Sequence, residues 1–159
     1  MTGRGEPEPG PVVRLQRTFR SSAEEVFAAW LDPAALERWM FGRAGSDERI
    51  VRLELDARVG GRFSFLVQRQ GQDFDHVGEY LELIPPRRLA FTWDVGRSRA
   101  DGSRVEIDLA DADGGVRLGL LHTLPADAAP YANQTLAGWM RMLGALAQVV
   151  ERAPALAPV

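Results

Sequence analysis

Between Ile50 and His122, apolar residues return at every second position in six successive runs, and each run is cut off by glycine, proline or aspartate. A period of two belongs to strands with one dry and one wet face. IVRLELD sets Val51, Leu53 and Leu55 against Arg52, Glu54 and Asp56. RFSFLVQ puts Phe63, Phe65 and Val67 on one side. RLAFTWDV places Leu89, Phe91, Trp93 and Val95 opposite Ala90, Thr92 and Asp94. RVEIDLA alternates Val105, Ile107 and Leu109, and VRLGLLH alternates Val116, Leu118, Leu120 and His122. The connections QGQD, RSRADGS and DADGG are short enough for hairpins and too short for parallel crossovers. In HVGEYLELI two registers stay open. One turns Glu79 inward as a polar anchor; the other, which we favour, turns Tyr80 inward and leaves Glu79 in water. Pro85–Pro86 cannot donate to a ladder, so strand pairing is expected to break there.

The flanks change period. VVRLQRTFR alternates Val13, Leu15 and Phe19, with Arg17 out of pattern, and reads as a further strand. In SSAEEVFAAWL, Ser22 and Glu25 have capping-box spacing, so a helix begins there and carries Val26, Phe27, Trp30 and Leu31 as its stripe. DPAALERWM restarts a helix with Asp32 as N-cap and Pro33 in the first position; Leu36, Trp39 and Met40 face inward. GRAGSDER is a loop. From Tyr131 to Arg152, Leu136, Trp139 or Met140, Leu143, Leu146 and Val150 recur every three or four residues, the spacing of a long amphipathic helix, and Pro154 lies just beyond it. The order is one strand, two short helices, six strands and one long helix. A sheet with one apolar face must cover it, and only the last helix is long enough. A curved sheet around one helix leaves space at its ends, which the short helices can partly close.

With 159 residues the chain suits one domain. We expect a disordered lead over 1–11, rich in Gly, Pro and Glu, a domain over 12–153 and a tail over 154–159. The lead has no apolar stretch for a signal peptide, and the apolar region near 136–150 is broken by Arg141 and Gln148, too short to span a membrane. There is no cysteine, which excludes disulfides and thiolate chemistry and suits a reducing cytoplasm. All 19 basic residues are arginine, so Schiff-base chemistry and lysine-dependent phosphate loops are excluded. The net charge of −3 and the scattered arginines argue against nucleic acid.

The clustering of large side chains on inward faces raises one question: do they fill a core, or line a hollow? Each alone reads as core. Together, Trp39, Phe63, Phe65, Tyr80, Phe91, Trp93, Leu118, Leu120, His122, Trp139 and Leu143 are expected to line a cavity, with a void left between Trp93 and Trp139. His122, inward by alternation, would give one hydrogen bond to a ligand, or be satisfied by backbone. Metal binding has little support: only His76 and His122 are present, far apart in sequence. DADGG and DGS lack the spacing of a calcium loop, and no Gly-x-Ser-x-Gly elbow is present.

Five stretches, SSAEEVFAAWLDPAALERWM, DARVGGRF, GEYLELIPPRRLAFTW, GGVRLGLLH and GWMRMLGAL, occur in an order that resembles one family from about Val12 to Arg152. These are bacterial homologues of the C-terminal domain of the activator of the ninety-kilodalton heat-shock-protein ATPase, within the START-like (SRPBCC) superfamily. The resemblance implies an α+β helix-grip fold, a curved seven-stranded antiparallel sheet with two short helices and a long C-terminal helix enclosing a cavity. It also implies binding of a small hydrophobic ligand, with no cofactor or metal. Two alternatives follow from the same likeness: a chaperone cofactor or stress-response interaction module acting through its outer surface, and a cyclase- or hydrolase-like enzyme, for which no acid–base pair is evident. The expected partners are the ligand and a chaperone, with no nucleic acid and no membrane. The expected state is monomer or homodimer, with edge strands and the apolar positions near Met40 and Phe41 offering a dimer contact.

Overall fold

The tightest hairpin shows how local chemistry starts the sheet. Gln70 and Gly71 both take positive φ, 51° and 76°, between the paired residues Arg69 and Gln72. Two left-handed residues make a type I′ turn, whose twist matches that of the strands it joins. The computed structural model describes residues 10–41, 47–95 and 103–151. Within them the elements are β1 (Val12–Phe19), α1 (Ala23–Ala29), α2 (Pro33–Trp39), β2 (Arg49–Leu55), β3 (Arg62–Arg69), β4 (Gln72–Ile84), β5 (Arg88–Val95), β6 (Ser103–Ala112), β7 (Gly115–Thr123), a 3₁₀ turn (Ala126–Tyr131) and α3 (Ala132–Val150). The strands form one antiparallel sheet in the order β1-β7-β6-β5-β4-β3-β2. This is the helix-grip fold expected from the sequence, apart from the 3₁₀ turn, which carries no apolar period. Residues 1–9 and 152–159 lie outside the described residues, as do 42–46 of the expected GRAGSDER loop, residue 96, and 97–102 of the expected RSRADGS turn.

Both short helices start as their caps require. Ser22 Oγ accepts from the Glu25 amide at 3.0 Å, and Asp32 Oδ1 from the Ala34 amide at 3.1 Å. The two helices bury Val26, Phe27, Leu36 and Trp39. The Trp39 indole donates to the Ala29 carbonyl at 2.9 Å, pinning α2 against α1. α3 covers the concave face with Trp139, Leu143, Leu146, Ala147 and Val150. Trp139, not Met140, is the inward residue; Met140 is 59% exposed.

Three expectations are corrected. Val51 does not face inward: the β2–β3 register shifts between Ile50 and Arg52, and this bulge turns Val51 out while Ile50, Leu53 and Leu55 pack on the core. Val95 shares the parity of Phe91 and Trp93 but ends its strand 53% exposed. Met40 and Phe41 are buried in the core and offer no dimer contact. In β4 the second register holds, with Tyr80 buried and Glu79 partly exposed. Gly78 has a packing role there, because a Cβ would collide with the Thr92 carbonyl oxygen and meet the Phe63 ring at 2.5 Å. On the convex face, Arg88 binds Glu82, Glu106 and Asp108 across three strands at 3.0, 2.7 and 2.9 Å. The hydrogen bond from Arg88 is the main cause that holds the Glu82 carboxyl below the usual carboxylate range, with the charges of Arg88 and Arg104 adding to it.

Candidate functional site

The interior under the sheet is an aromatic stack. Trp30 meets Trp39 edge-on at 4.6 Å, Phe63 stacks on Phe65 at 4.7 Å, and Phe91 closes on Phe63 at 5.8 Å. Edge-to-face and offset contacts fill volume without voids. What remains between Trp30, Phe63, Phe65, Tyr80, Phe91 and Trp93 is about 10 Å³. That is about the space of one water molecule. The void expected between Trp93 and Trp139 is closed as well: their rings lie 6.1 Å apart, in contact. Flat indoles on facing layers approach until they touch, and nothing in the alternation pattern shows that.

A larger space opens beyond the edges of those indoles. A cleft of about 720 Å³ lies where β4, β5, β6 and β7 reach the first half of α3. Trp93 and Trp139 form its floor, with Met40, Phe41, Leu124 and Met142 as apolar wall. Its polar groups come from the sheet (His76, Asp94, Ser103, His122), from α3 (Gln134, Thr135, Arg141) and from the rim (Asp47, Glu48, Arg69). At the rim Arg69 Nε pairs with Glu48 at 2.8 Å and its guanidinium lies 4.7 Å over Phe74. Of the residues expected from the sequence, Trp93, His122 and Trp139 line this cleft. Phe63, Phe65, Tyr80 and Phe91 surround the 10 Å³ void instead. Trp39, Leu118, Leu120 and Leu143 are buried and line neither space.

His122 is the best-defined polar group in the cleft. The Trp139 indole donates to its Nδ1 at 2.9 Å. An indole N–H can only donate, so Nδ1 is an acceptor and the imidazole proton sits on Nε2. That Nε2 is buried and has no hydrogen-bond partner among the described residues. Burial lowers the His122 pKa from 6.5 to about 4, so the ring is neutral near pH 7. His76 mirrors it. Its Nδ1 lies 3.1 Å from the Phe65 carbonyl oxygen, which can only accept, so Nδ1 carries the proton and Nε2 keeps its lone pair. Burial is the main cause that lowers its pKa too, and Arg69 adds to it; the Phe65 hydrogen bond, Glu48 and Asp75 oppose them.

Sequence reading missed His76, because the two histidines are far apart along the chain. Strand order brings them to one end of the sheet: His76 pairs with Val95, Trp93 with Ser103, and Val105 with His122. The parity of β4, once Tyr80 is set inward, also sets His76 inward, and that was the available signal. Phe41, Leu124, Gln134, Thr135, Arg141 and Met142 gave none, since a cleft wall built from chain segments of different period has no periodicity of its own. Among the described residues no group of three or more His, Cys, Asp or Glu side chains is arranged to hold a metal. Among them, no helix is long and apolar enough to cross a membrane.

Known proteins of the same architecture are numerous. A protein from Chromobacterium violaceum is 34% identical, over 90% of this chain and 99% of that one, with a TM-score of 0.74. A protein from Aeromonas hydrophila, described as AHSA1-like, is 26% identical over 87% of this chain and 90% of its own, with a TM-score of 0.71. A Staphylococcus aureus protein of unknown function shares the fold at 18% identity over 89% of this chain and 94% of that one, with a TM-score of 0.74. No curated protein is significantly similar. The profile of the family described as activator of Hsp90 ATPase homolog 1-like protein matches residues 20–151, and the chain therefore belongs to that family.

Proposed function

We propose that this protein binds a small, mostly apolar molecule in the cleft between the sheet and the first half of α3. The family's fold is a ligand-binding fold in general. The observation that carries the reading is the cleft of about 720 Å³, floored by Trp93 and Trp139, with a buried Nε2–H on His122 that has no partner among the described residues. The volume lies within the roughly 300–1,000 Å³ range of small-molecule sites. An orphaned buried donor costs about 1–3 kcal/mol, and a ligand acceptor would recover part of that. Binding then combines burial of apolar surface on the indoles with one directional hydrogen bond. Native mass spectrometry of protein purified from its host tests this. A co-purifying small molecule, displaced in a Trp139→Ala variant, supports it. Protein that is repeatedly empty and also ignores a panel of apolar fluorescent dyes would refute it.

The family description names activation of a chaperone ATPase, and this favours a second reading in which the outer surface engages a chaperone. Stimulation of a bacterial Hsp90-type ATPase by the wild-type protein, retained in Trp139→Ala, would separate an external interaction from cleft binding.

A further inference from the structure

Among the described residues two cations line the cleft, Arg69 and Arg141, and their circumstances differ. Arg69 is engaged: its Nε pairs with Glu48 at 2.8 Å and its guanidinium lies 4.7 Å over Phe74. Arg141 makes no ion pair and no side-chain hydrogen bond among the described residues. The sequence of α3 gives the reason, since Arg141 is the one charged residue between Ala132 and Val150. The positions three and four residues away, where a partner on the same helix would stand, are Ala137, Gly138, Gly144 and Ala145. We propose that Arg141 is the anion subsite of the cleft and that the ligand is amphipathic. Its apolar body rests on Trp93 and Trp139, and it carries a single oxyanion group, a carboxylate in the simplest case, that accepts from the Arg141 guanidinium. This rests on the ligand-binding reading above and names the class of its ligand.

Three observations carry the proposal. First, the guanidinium is placed. A Cβ on Gly138 would lie 3.8 Å from Arg141 Nη2, so the side chain folds back along the helix to Gly138, which itself lines the cleft. Second, successive helix residues turn by about 100°, so Gly138 lies between Trp139 on one flank of the cleft-lining face and Arg141 on the other. Trp139 is buried and Arg141 exposed, so a molecule lying across Gly138 has its dry end at the indole and its wet end at the guanidinium. An anion at the wet end keeps part of its hydration and avoids the heavy cost of burying a charge. Third, the carboxylates of the lining come from elsewhere: Asp47 and Glu48 from the approach to β2, Asp94 from β5. Glu48 is held by Arg69. The charge that α3 itself brings to the cleft is positive.

Fluorescence titration with two dyes of one skeleton tests this: 8-anilinonaphthalene-1-sulfonate and N-phenyl-1-naphthylamine, which lacks the sulfonate. The sulfonate stands in for the oxyanion. The anionic dye should bind the wild-type protein about fivefold tighter at low salt, the upper end for a charge pair that water still reaches. That preference should shrink as salt is raised. Arg141→Gln should bring the anionic dye down to the affinity of the neutral one, which stays where it was. Arg141→Lys should keep part of the preference, since the charge remains while the fork of donors is lost. Neutral dye that binds the wild-type protein as tightly as the anionic one, or tighter, would overturn the anion subsite while leaving apolar binding standing. A preference that survives Arg141→Gln would overturn it too, because the anion would then be held elsewhere. If neither dye binds, both the subsite and the cleft reading fall. The wild-type pair alone can sink the proposal even if a variant does not fold.

Discussion

The aromatic interior and the cleft share strands β4 and β5 and the side chains of Met40 and Trp93, yet one is shut and the other open. In the interior Trp30, Phe63 and Phe91 each meet at least three other rings, and the residual space is about 10 Å³. At the cleft, Trp93 and Trp139 touch one another and line a space of about 720 Å³. The difference comes from cover. α1 and α2 bring Trp30 and Leu36 down beside Phe63, Phe65, Tyr80 and Phe91, with Trp39 against Trp30. Over the ends of β4 to β7, the α3 residues that line the space are Gln134, Thr135, Gly138, Trp139, Arg141 and Met142. Apolar side chains pull layers together, and small or polar ones leave them apart.

This comparison can be broken first in the interior. Phe91→Ala removes a ring that touches Trp30, Phe63, Tyr80 and Trp93, and it should cost about 4 kcal/mol in chemical denaturation. A loss below 1 kcal/mol would mean the stack is looser than its distances indicate. The cleft should next reveal itself by pH. The folded-state pKa of His122 is depressed to about 4 from 6.5, so the unfolded chain takes up a proton first as pH falls. Stability is then full above about pH 6.5 and declines between there and pH 4, by up to about 3 kcal/mol. His76, also lowered, acts in the same direction. His122→Phe should flatten most of that slope; an unchanged slope would rule His122 out as its source.

Trp139→Phe keeps most of the apolar contact and removes the indole N–H that holds Nδ1 of His122. It should cost about 1 kcal/mol for the lost hydrogen bond, and two-dimensional NMR of the imidazole nitrogens should show the proton redistributing between Nδ1 and Nε2. A His122 ring still wholly protonated at Nε2 would show that something other than Trp139 sets the tautomer. The smallest effect is expected at the rim. Arg141→Ala, exposed on α3 and without an ion pair among the described residues, should change stability by less than about 0.5 kcal/mol. A larger change would show that the cleft wall, like the interior, bears on folding.

Much of the fold was legible because most of its elements carry a period. Phe63, Phe65 and Val67, or Val105, Ile107 and Leu109, cannot alternate so cleanly and be anything but strands with one dry face. The caps at Ser22 and Asp32 were legible for a different reason, since each rests on contacts within three residues. Val51 was misplaced because a bulge shifts parity by one and leaves no mark in an alternating run. The candidate site was legible only where it borrowed strand or helix period, at Trp93, His122 and Trp139. His76 was obscured because its strand offered two registers, and only contact of Tyr80 with Phe63 and Phe91 selects between them.

By itself, then, the amino-acid order determined the elements, their succession and which face of most strands is dry, since these follow from backbone geometry and nearby neighbours. Tertiary structure alone decided that the indoles meet, that the open space lies past them, and that two distant histidines share it with opposite tautomers. Those outcomes depend on how far layers approach and on which strand ends come level, and both are set by contacts between residues far apart in the chain.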